Sequence, residues 1–337
     1  MQLAKGKPSA GAFFDSDFST IDSVLAVAVL FGMQGKNDCR VNILTMSRPN
    51  LAIAGFADAV ERFYKGPAGN FSQVPPIGMR TEGAGGETSP AFTVPFQKKN
   101  ADGKPVYTNQ VKTVIETGDP NTLIRNYLEA QYDQNAFFVL GGPATNLAAA
   151  LDFAGIPDLI AEKIKYLVIS ASDARINADI AAARKVFAEW PTPIVVCGHE
   201  IGANLPFPGA SIDKEFAEAV HDNPIADAYR AYQTMPYDAP SGDLAASLYA
   251  GRPQEGYFKL SGNGTISVGG DGRTAFTASA AGKHQYLIFD PGQKDKILKT
   301  YVELASAKPA PPKRFKADAA VDEKPEEKPK QETPPPK

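Results

Sequence analysis

The sequence predicts an α/β fold: a mainly parallel sheet with helices on both faces, followed by antiparallel hairpins near the C-terminus. Three observations carry this. Short apolar runs (Gly11–Phe14, Ala136–Leu140, Tyr166–Ser170, Pro193–Cys197) alternate with segments whose apolar residues recur at helical spacing. Several of these runs pass into glycine-rich or acidic turns, as strands do where a parallel sheet gives way to loops. Val24–Phe31 is apolar on every side, which marks a helix buried on both faces.

In order, Gly11–Phe14 reads as a strand, followed by an acidic turn and then the buried helix. Asp38–Ser47 is a second strand, and Asn50–Tyr64 is a helix with Leu51, Ala54, Ala57, Val60 and Phe63 on a connected face. From Gly66 to Asn109 the periodicity fails and Gly, Pro, Ser and Thr dominate, which predicts long loops over one face. Asn121–Gln131 is helical. Ala136–Leu140 is a strand ending in Gly141–Gly142–Pro143, with a helix from Asn146 to Asp152. Tyr166–Ser170 and Pro193–Cys197 are strands flanking a helix at Asp179–Trp190, which Pro191 stops. Phe216–Val220, Pro224–Tyr232 and Leu244–Ala250 are helical. Tyr257–Phe276 alternates around glycine turns as hairpins do, and Gln293–Ser306 is an amphipathic helix. The domain plan is a flexible start over residues 1–10, one domain over 11–306, and a disordered Pro/Lys/Glu-rich tail over 307–337.

Composition narrows the function. Of 337 residues 43% are hydrophobic, enough for a sizeable core. Lys plus Arg is 35 and Asp plus Glu is 38, with no basic stripe, so nucleic acid is not an expected partner. No apolar run reaches membrane-spanning length, so no membrane is expected either. Cys39 and Cys197 are too few and too far apart for a disulfide framework or a zinc pattern. Met1–Pro8 lacks the apolar stretch of a signal peptide. A cytoplasmic location is the default, with export after removal of a signal peptide as the alternative.

The chemistry-bearing feature is the turn after the first strand. Asp15, Asp17 and Asp22 fall within eight residues where a buried strand passes into a buried helix. Ligands in open α/β sheets bind outside the carboxyl ends of the strands. Acids grouped there without a nearby Lys or Arg repel one another, and Ca²⁺ or Mg²⁺ bound by oxygens would relieve this. The competing reading makes Asp15 and Ser16 turn residues and Thr20 or Asp22 a helix cap.

Several segments together resemble the nucleoside hydrolases of the inosine-uridine preferring type, as a divergent bacterial member would. DSDFSTIDSVLA (residues 15–26) is similar to their DTDxGxDDALA signature, and GPATNL (142–147) to their GPLTNLA turn. DARINAD (173–179) is similar to their EFNxxxDP segment, and DLAA (243–246) to a late Asp that begins a helix. The likeness spans about Gly11 to Ser306. It implies a nucleoside hydrolase-like α/β fold and hydrolysis of N-glycosidic bonds in ribonucleosides or related ribosides, within purine and pyrimidine metabolism. It also implies a tightly held Ca²⁺ whose water an Asp activates. Carried over, Asp17 is the catalytic base and a metal ligand, and the Thr145 carbonyl and Asp243 are further ligands. Asp22, Asn50, Asp173 and Arg175 would bind substrate. Partners would be a nucleoside or sugar and, since family members often form dimers or tetramers, a second copy of the chain.

Departures from the family pattern qualify this. The family has two adjacent acids where this chain has Asp22 alone. In one register Asp22 binds sugar and Ser23 takes the metal-ligand place; in the other Asp22 is the metal ligand and Ile21 stands for the missing acid. Aligning the helix favours the first. Asp173 replaces a Glu, Arg175 replaces an Asn that binds ribose, and Gly242 stands where the family has His or Trp. With fewer carboxylates and an added cation, calcium binding should be weakened or absent. The alternative function is therefore a catalytically impaired protein that binds a sugar or nucleoside, with Arg175 as the partner of an anionic one. His221–Asp222 is a second candidate for the distal acid, ranked below Asp243. His199 and Glu200 sit where a leaving-group acid would, although a structural histidine accounts for His199 equally well.

Overall fold

The computed structural model describes residues 8–65, 74 and 76–310. Its frame is a sheet of strands β1 (Ala10–Ser16), β2 (Cys39–Met46), β3 (Gly78–Met79), β4 (Ala136–Leu140), β5 (Ile164–Ser170), β6 (Ile194–Cys197), β7 (Lys259–Leu260), β8 (Gly264–Val268), β9 (Thr274–Ala278) and β10 (His284–Ile288). Their order is β3-β2-β1-β4-β5-β6-β10-β8-β9, with β7 pairing β10. Strands β3 to β6 are mutually parallel, and β10 continues them in parallel beside β6. The β8–β9 pair and its joins to β10 are antiparallel. The expected α/β architecture with C-terminal antiparallel strands is thus present.

The helices are α1 (Ile21–Gly35), α2 (Leu51–Lys65), α3 (Pro120–Glu129), α4 (Thr145–Asp152), α5 (Ile156–Lys163), α6 (Asp173–Ala178), α7 (Ile180–Glu189), α8 (His199–Asn204), α9 (Ala210–Asp213), α10 (Glu215–Ala219), α11 (Pro224–Tyr232), α12 (Gly242–Gly251) and α13 (Lys294–Ala305). Helix α1 is buried from Ile21 to Gln34, as its unbroken apolar character requires. It packs against β2 on one side and against α11, α12 and α13 on the other. The contact with α13 is backbone-close: a Cβ on Gly32 would stand well inside contact distance of the Leu304 carbonyl.

Apolar residues divide between the two faces of the sheet. One layer gathers around Phe14, Leu25, Val29, Leu44 and Leu248. The other gathers around Phe13, Phe138, Ile160, Leu167 and Val186. Adjacent Phe13 and Phe14 point into opposite layers because strand side chains alternate. In the long segment after α2, residues 66–73 and 75 lie outside the described set. The rest carries β3 and short 3₁₀ turns at Pro90–Phe92 and Val94–Gln97, which pack on α11. The tail from residue 311 and residues 1–7 lie outside the described residues. Among the described residues, no helix is long and apolar enough to cross a membrane.

The topology places a crevice. From β1 the chain moves to β2 on one side, while β4 lies on the other side of β1. The direction of winding therefore switches between β1 and β4, and their carboxyl ends carry Asp15–Asp17 and Gly141–Gly142.

Candidate functional site

Asp15 is the most enclosed of the three early acids. Its Oδ2 accepts from Thr45 Oγ1 at 2.6 Å and from Asn146 Nδ2 at 2.7 Å, while Oδ1 is buried without a partner. Burial pushes its carboxyl up to about 7 against those two hydrogen bonds, and Asp17 adds to the rise. Asn146, in the first turn of α4, thus serves to hold Asp15.

Asp17 sits in the turn that follows. Its Oδ1 accepts from the Ser19 amide at 3.1 Å, and Ser16 Oγ accepts from the Phe18 amide at 3.0 Å. Phe18 adopts a left-handed conformation, φ 49°. Such backbone is costly for a bulky residue and must be over-determined by its surroundings. Arg48 does this by donating from Nε to the Asp17 carbonyl at 2.7 Å. Gly142 does it from the other side, since a Cβ there would lie 2.5 Å from the Asp17 amide. The glycine pair after β4 thus exists for close approach of two loops.

Asp22 lies in the first turn of α1, yet its carboxylate serves another helix. Oδ2 accepts from the Asp243 amide at 2.7 Å and Oδ1 from the Leu244 amide at 3.2 Å, so it caps the N-terminus of α12. Burial and the neighbouring Asp243 push its carboxyl well above the ordinary range, with Arg175 and the two amides opposing.

Asp243 has no exposed surface. Arg175 grips it with a bidentate fork, Nη1 to Oδ1 at 2.6 Å and Nη2 to Oδ2 at 3.0 Å. Ser23 Oγ donates to Oδ2 at 2.7 Å, and Ser16 Oγ donates in turn to Ser23 at 3.0 Å. Nη1 of Arg175 also donates to Oγ and to the carbonyl of Ser170, at 2.6 and 3.1 Å. Burial pulls the guanidinium down, but Asp243, Asp22 and Asp17 outweigh it and hold it above its ordinary value.

The side chains of the remaining predicted residues have these partners. Thr145, whose carbonyl the resemblance singles out, donates from Oγ1 to Asp179 at 2.8 Å, and Asp179 caps α7. Asn50 caps α2 through the Ile53 amide and donates to Thr88 Oγ1 at 2.9 Å. His221 is exposed, and Asp222 pairs with Lys98 at 3.1 Å. Next to it Asn223 caps α11, its Oδ1 accepting from the Ile225 and Ala226 amides. Trp190 lies in the core.

Beside the switch point, outside the carboxyl ends of β5 and β6, opens a cavity of about 830 Å³. Of the predicted site residues it takes in Asp22, Asp173 and Arg175; Asp17, Asn50, Thr145 and Asp243 do not line it. Its polar wall also holds His199, Glu200 and Asp238, and its apolar wall holds Phe187, Tyr232, Tyr237, Phe276 and Tyr286. Tyr237 is fixed by stacking on Tyr229 at 4.4 Å, each hydroxyl donating to the other's carbonyl. Phe276 and Tyr286 meet edge to face at 5.1 Å. These aromatic residues come from α7, the end of α11, a proline-rich turn and the C-terminal strands, which only folding brings together, and no local pattern in the sequence marks them.

The fold family implies a divalent cation, and the donor set does not fit one. Both oxygens of Asp243 are engaged by Arg175, Asp22 is turned onto α12, and Ser23 donates rather than accepts toward Asp243. Among the described residues no group of three or more His, Cys, Asp or Glu side chains is arranged to hold a metal.

No protein-family model matches the sequence, and no curated protein matches it. Solved structures do. A plant nucleoside hydrolase aligns with a TM-score of 0.64 at 18% identity, over 89% of this chain and all of that one. The purine-preferring ribonucleoside hydrolase from Gardnerella vaginalis aligns at 0.62 and 16% identity, over 88% of this chain and 98% of that one. The type III effector XopQ, complexed with adenosine diphosphate ribose, aligns at 0.61 and 13% identity, over 90% and 95%. At these identities the likeness is one of fold: the chain has the nucleoside hydrolase fold, in a divergent form.

Proposed function

We propose that the cavity beside the switch point binds a neutral ribonucleoside or related riboside, and that the metal-assisted hydrolysis associated with the fold is lost. The observation that carries this is the cavity wall, which brings the carboxyl groups of Asp173, Glu200 and Asp238 together with a set of aromatic rings. Carboxylates accept hydrogen bonds from sugar hydroxyls, and aromatic faces and edges pack on a flat base. The same acids disfavour a phosphate, and the cation lining the cavity is already paired with Asp243. The expectation that Arg175 would recognise an anionic sugar is therefore not favoured, and the adenosine diphosphate ribose seen in the effector is a discriminating probe.

Calorimetric titration of inosine, uridine, adenosine and adenosine diphosphate ribose into chelator-washed protein tests the reading. A nucleoside should bind, adenosine diphosphate ribose should bind more weakly, and Asp173→Ala should weaken the nucleoside by roughly tenfold, the order of one hydrogen bond to a charged group. Absence of binding by every nucleoside at millimolar concentration contradicts it.

Asp17 favours a second reading. Among the described residues its carboxylate accepts only from the Ser19 amide, and it lies close enough to Arg175 to influence it. As a general base it would take a proton from water, whose oxygen attacks the anomeric carbon as the bond to the base breaks and the base departs with the electron pair. Release of free base that survives chelator and disappears in Asp17→Asn would establish this reading over the first.

A further inference from the structure

We propose that the guanidinium of Arg175 is a resident counter-ion, covalently part of the chain, that takes the place of a bound divalent cation and makes the fold metal-independent. This holds whichever ligand the cavity takes. The geometry is that of a built site. Arg175 sits in the first turns of α6, just after β5, and reaches across to the first turn of α12. There its fork closes on Asp243 with two bonds of 2.6 and 3.0 Å, and the Ser170 hydroxyl and carbonyl accept from the same nitrogen Nη1. Asp243 is fully buried and the arginine side chain is 14% exposed, so solvent does little to screen the pair.

Burial points the same way. A carboxylate as enclosed as Asp243 needs a positive charge against it, and a guanidinium is weakly hydrated and shaped to bridge a carboxylate. Ser23 and Gly242 are matched to this occupant. The Ser23 hydroxyl gives Asp243 Oδ2 a second donor, where an acid would repel it. A Cβ at position 242 would meet Ser170 Oγ at 2.9 Å, the same oxygen that accepts from Arg175. The substitutions therefore form one set in which the cation is a side chain.

Thermal unfolding of chelator-washed protein, with and without calcium chloride, tests this, together with terbium binding followed by luminescence. The wild type should show the same midpoint in calcium and in chelator, and should not bind terbium. Arg175→Asn uncovers Asp243 and should gain a calcium-dependent rise of several degrees together with terbium binding. Arg175→Lys keeps a positive charge and should remain insensitive to calcium. A wild-type midpoint that rises in calcium or falls in chelator overturns the proposal, whatever the variants do. So does an Arg175→Asn protein with wild-type circular dichroism that binds neither ion. Should Arg175→Asn fail to fold, the wild-type and Arg175→Lys measurements decide it, and calcium sensitivity in either overturns it. None of these readouts depends on nucleoside binding, so failure here and failure of the riboside reading are separately visible.

Discussion

Asp243 and Arg175 lie 68 positions apart in sequence and form a bidentate pair behind the cavity, which only Arg175 lines. Breaking such a pair by removing one partner strands a buried charge, which costs about 3–5 kcal/mol. Asp243→Asn should therefore lose stability on that order in urea unfolding. Combining it with Arg175→Met should cost clearly less than the sum of the two single changes, the signature of direct coupling. Asp15 makes a separate prediction. Its folded-state value of about 7 lies above the ordinary 3.8, so between those pH values the native protein holds a proton that the unfolded chain has released. The stability this contributes is complete below pH 3.8 and is lost as pH rises through about 7, by on the order of 4 kcal/mol at most. Asp15→Asn should flatten that dependence, measured by urea unfolding at about pH 5 and about pH 8. At this scale the sequence made Arg175 legible as a departure and Asp17, Asp22 and Asp243 as a group. It could not show that Arg175 and Asp243 are each other's partners, because that contact depends on how α6 and α12 converge.

Helix α1 is the element on which the others pack, and its burial leaves no space at the crossing with α13. Gly32→Ala would push a methyl into the Leu304 carbonyl. Overpacking of this kind costs about 1–3 kcal/mol or more, and a lowered midpoint in urea should report it. Gly142→Ala should act locally, displacing the Asp17 turn while leaving the sheet in place; the altered Phe18 environment would be visible by NMR. The long elements were legible because they carry a clear period: α1, α2, α7, α13 and strands β1, β2, β4, β5 and β6 fall within a few residues of expectation. Helices α6 and α8 have six residues each, too few to repeat a helical pattern, and went unread. Strand β10 was missed because nothing local shows that a strand after a hairpin will lie parallel to β6, 90 residues earlier at His284–Ile194.

At the scale of the whole molecule the chain has the nucleoside hydrolase fold, with a winding switch between β1 and β4 and a buried Arg175–Asp243 pair. The mainly parallel sheet with helices around it was legible from the alternation of strands and helices. The cavity was not, since its aromatic wall is assembled from α7, the end of α11, the turn after it and the last strands. A fold stabilised by its own guanidinium owes nothing to metal, so its unfolding free energy should be the same after exhaustive chelation as before. The measurement that bears most directly on this is calorimetric titration of calcium into chelator-washed wild-type protein, with elemental analysis of the same sample. The account predicts no metal in the purified chain and no saturable heat up to millimolar calcium. One tightly bound calcium per chain would contradict it, and would return Asp17, Asp22 and Asp243 to the role of metal ligands.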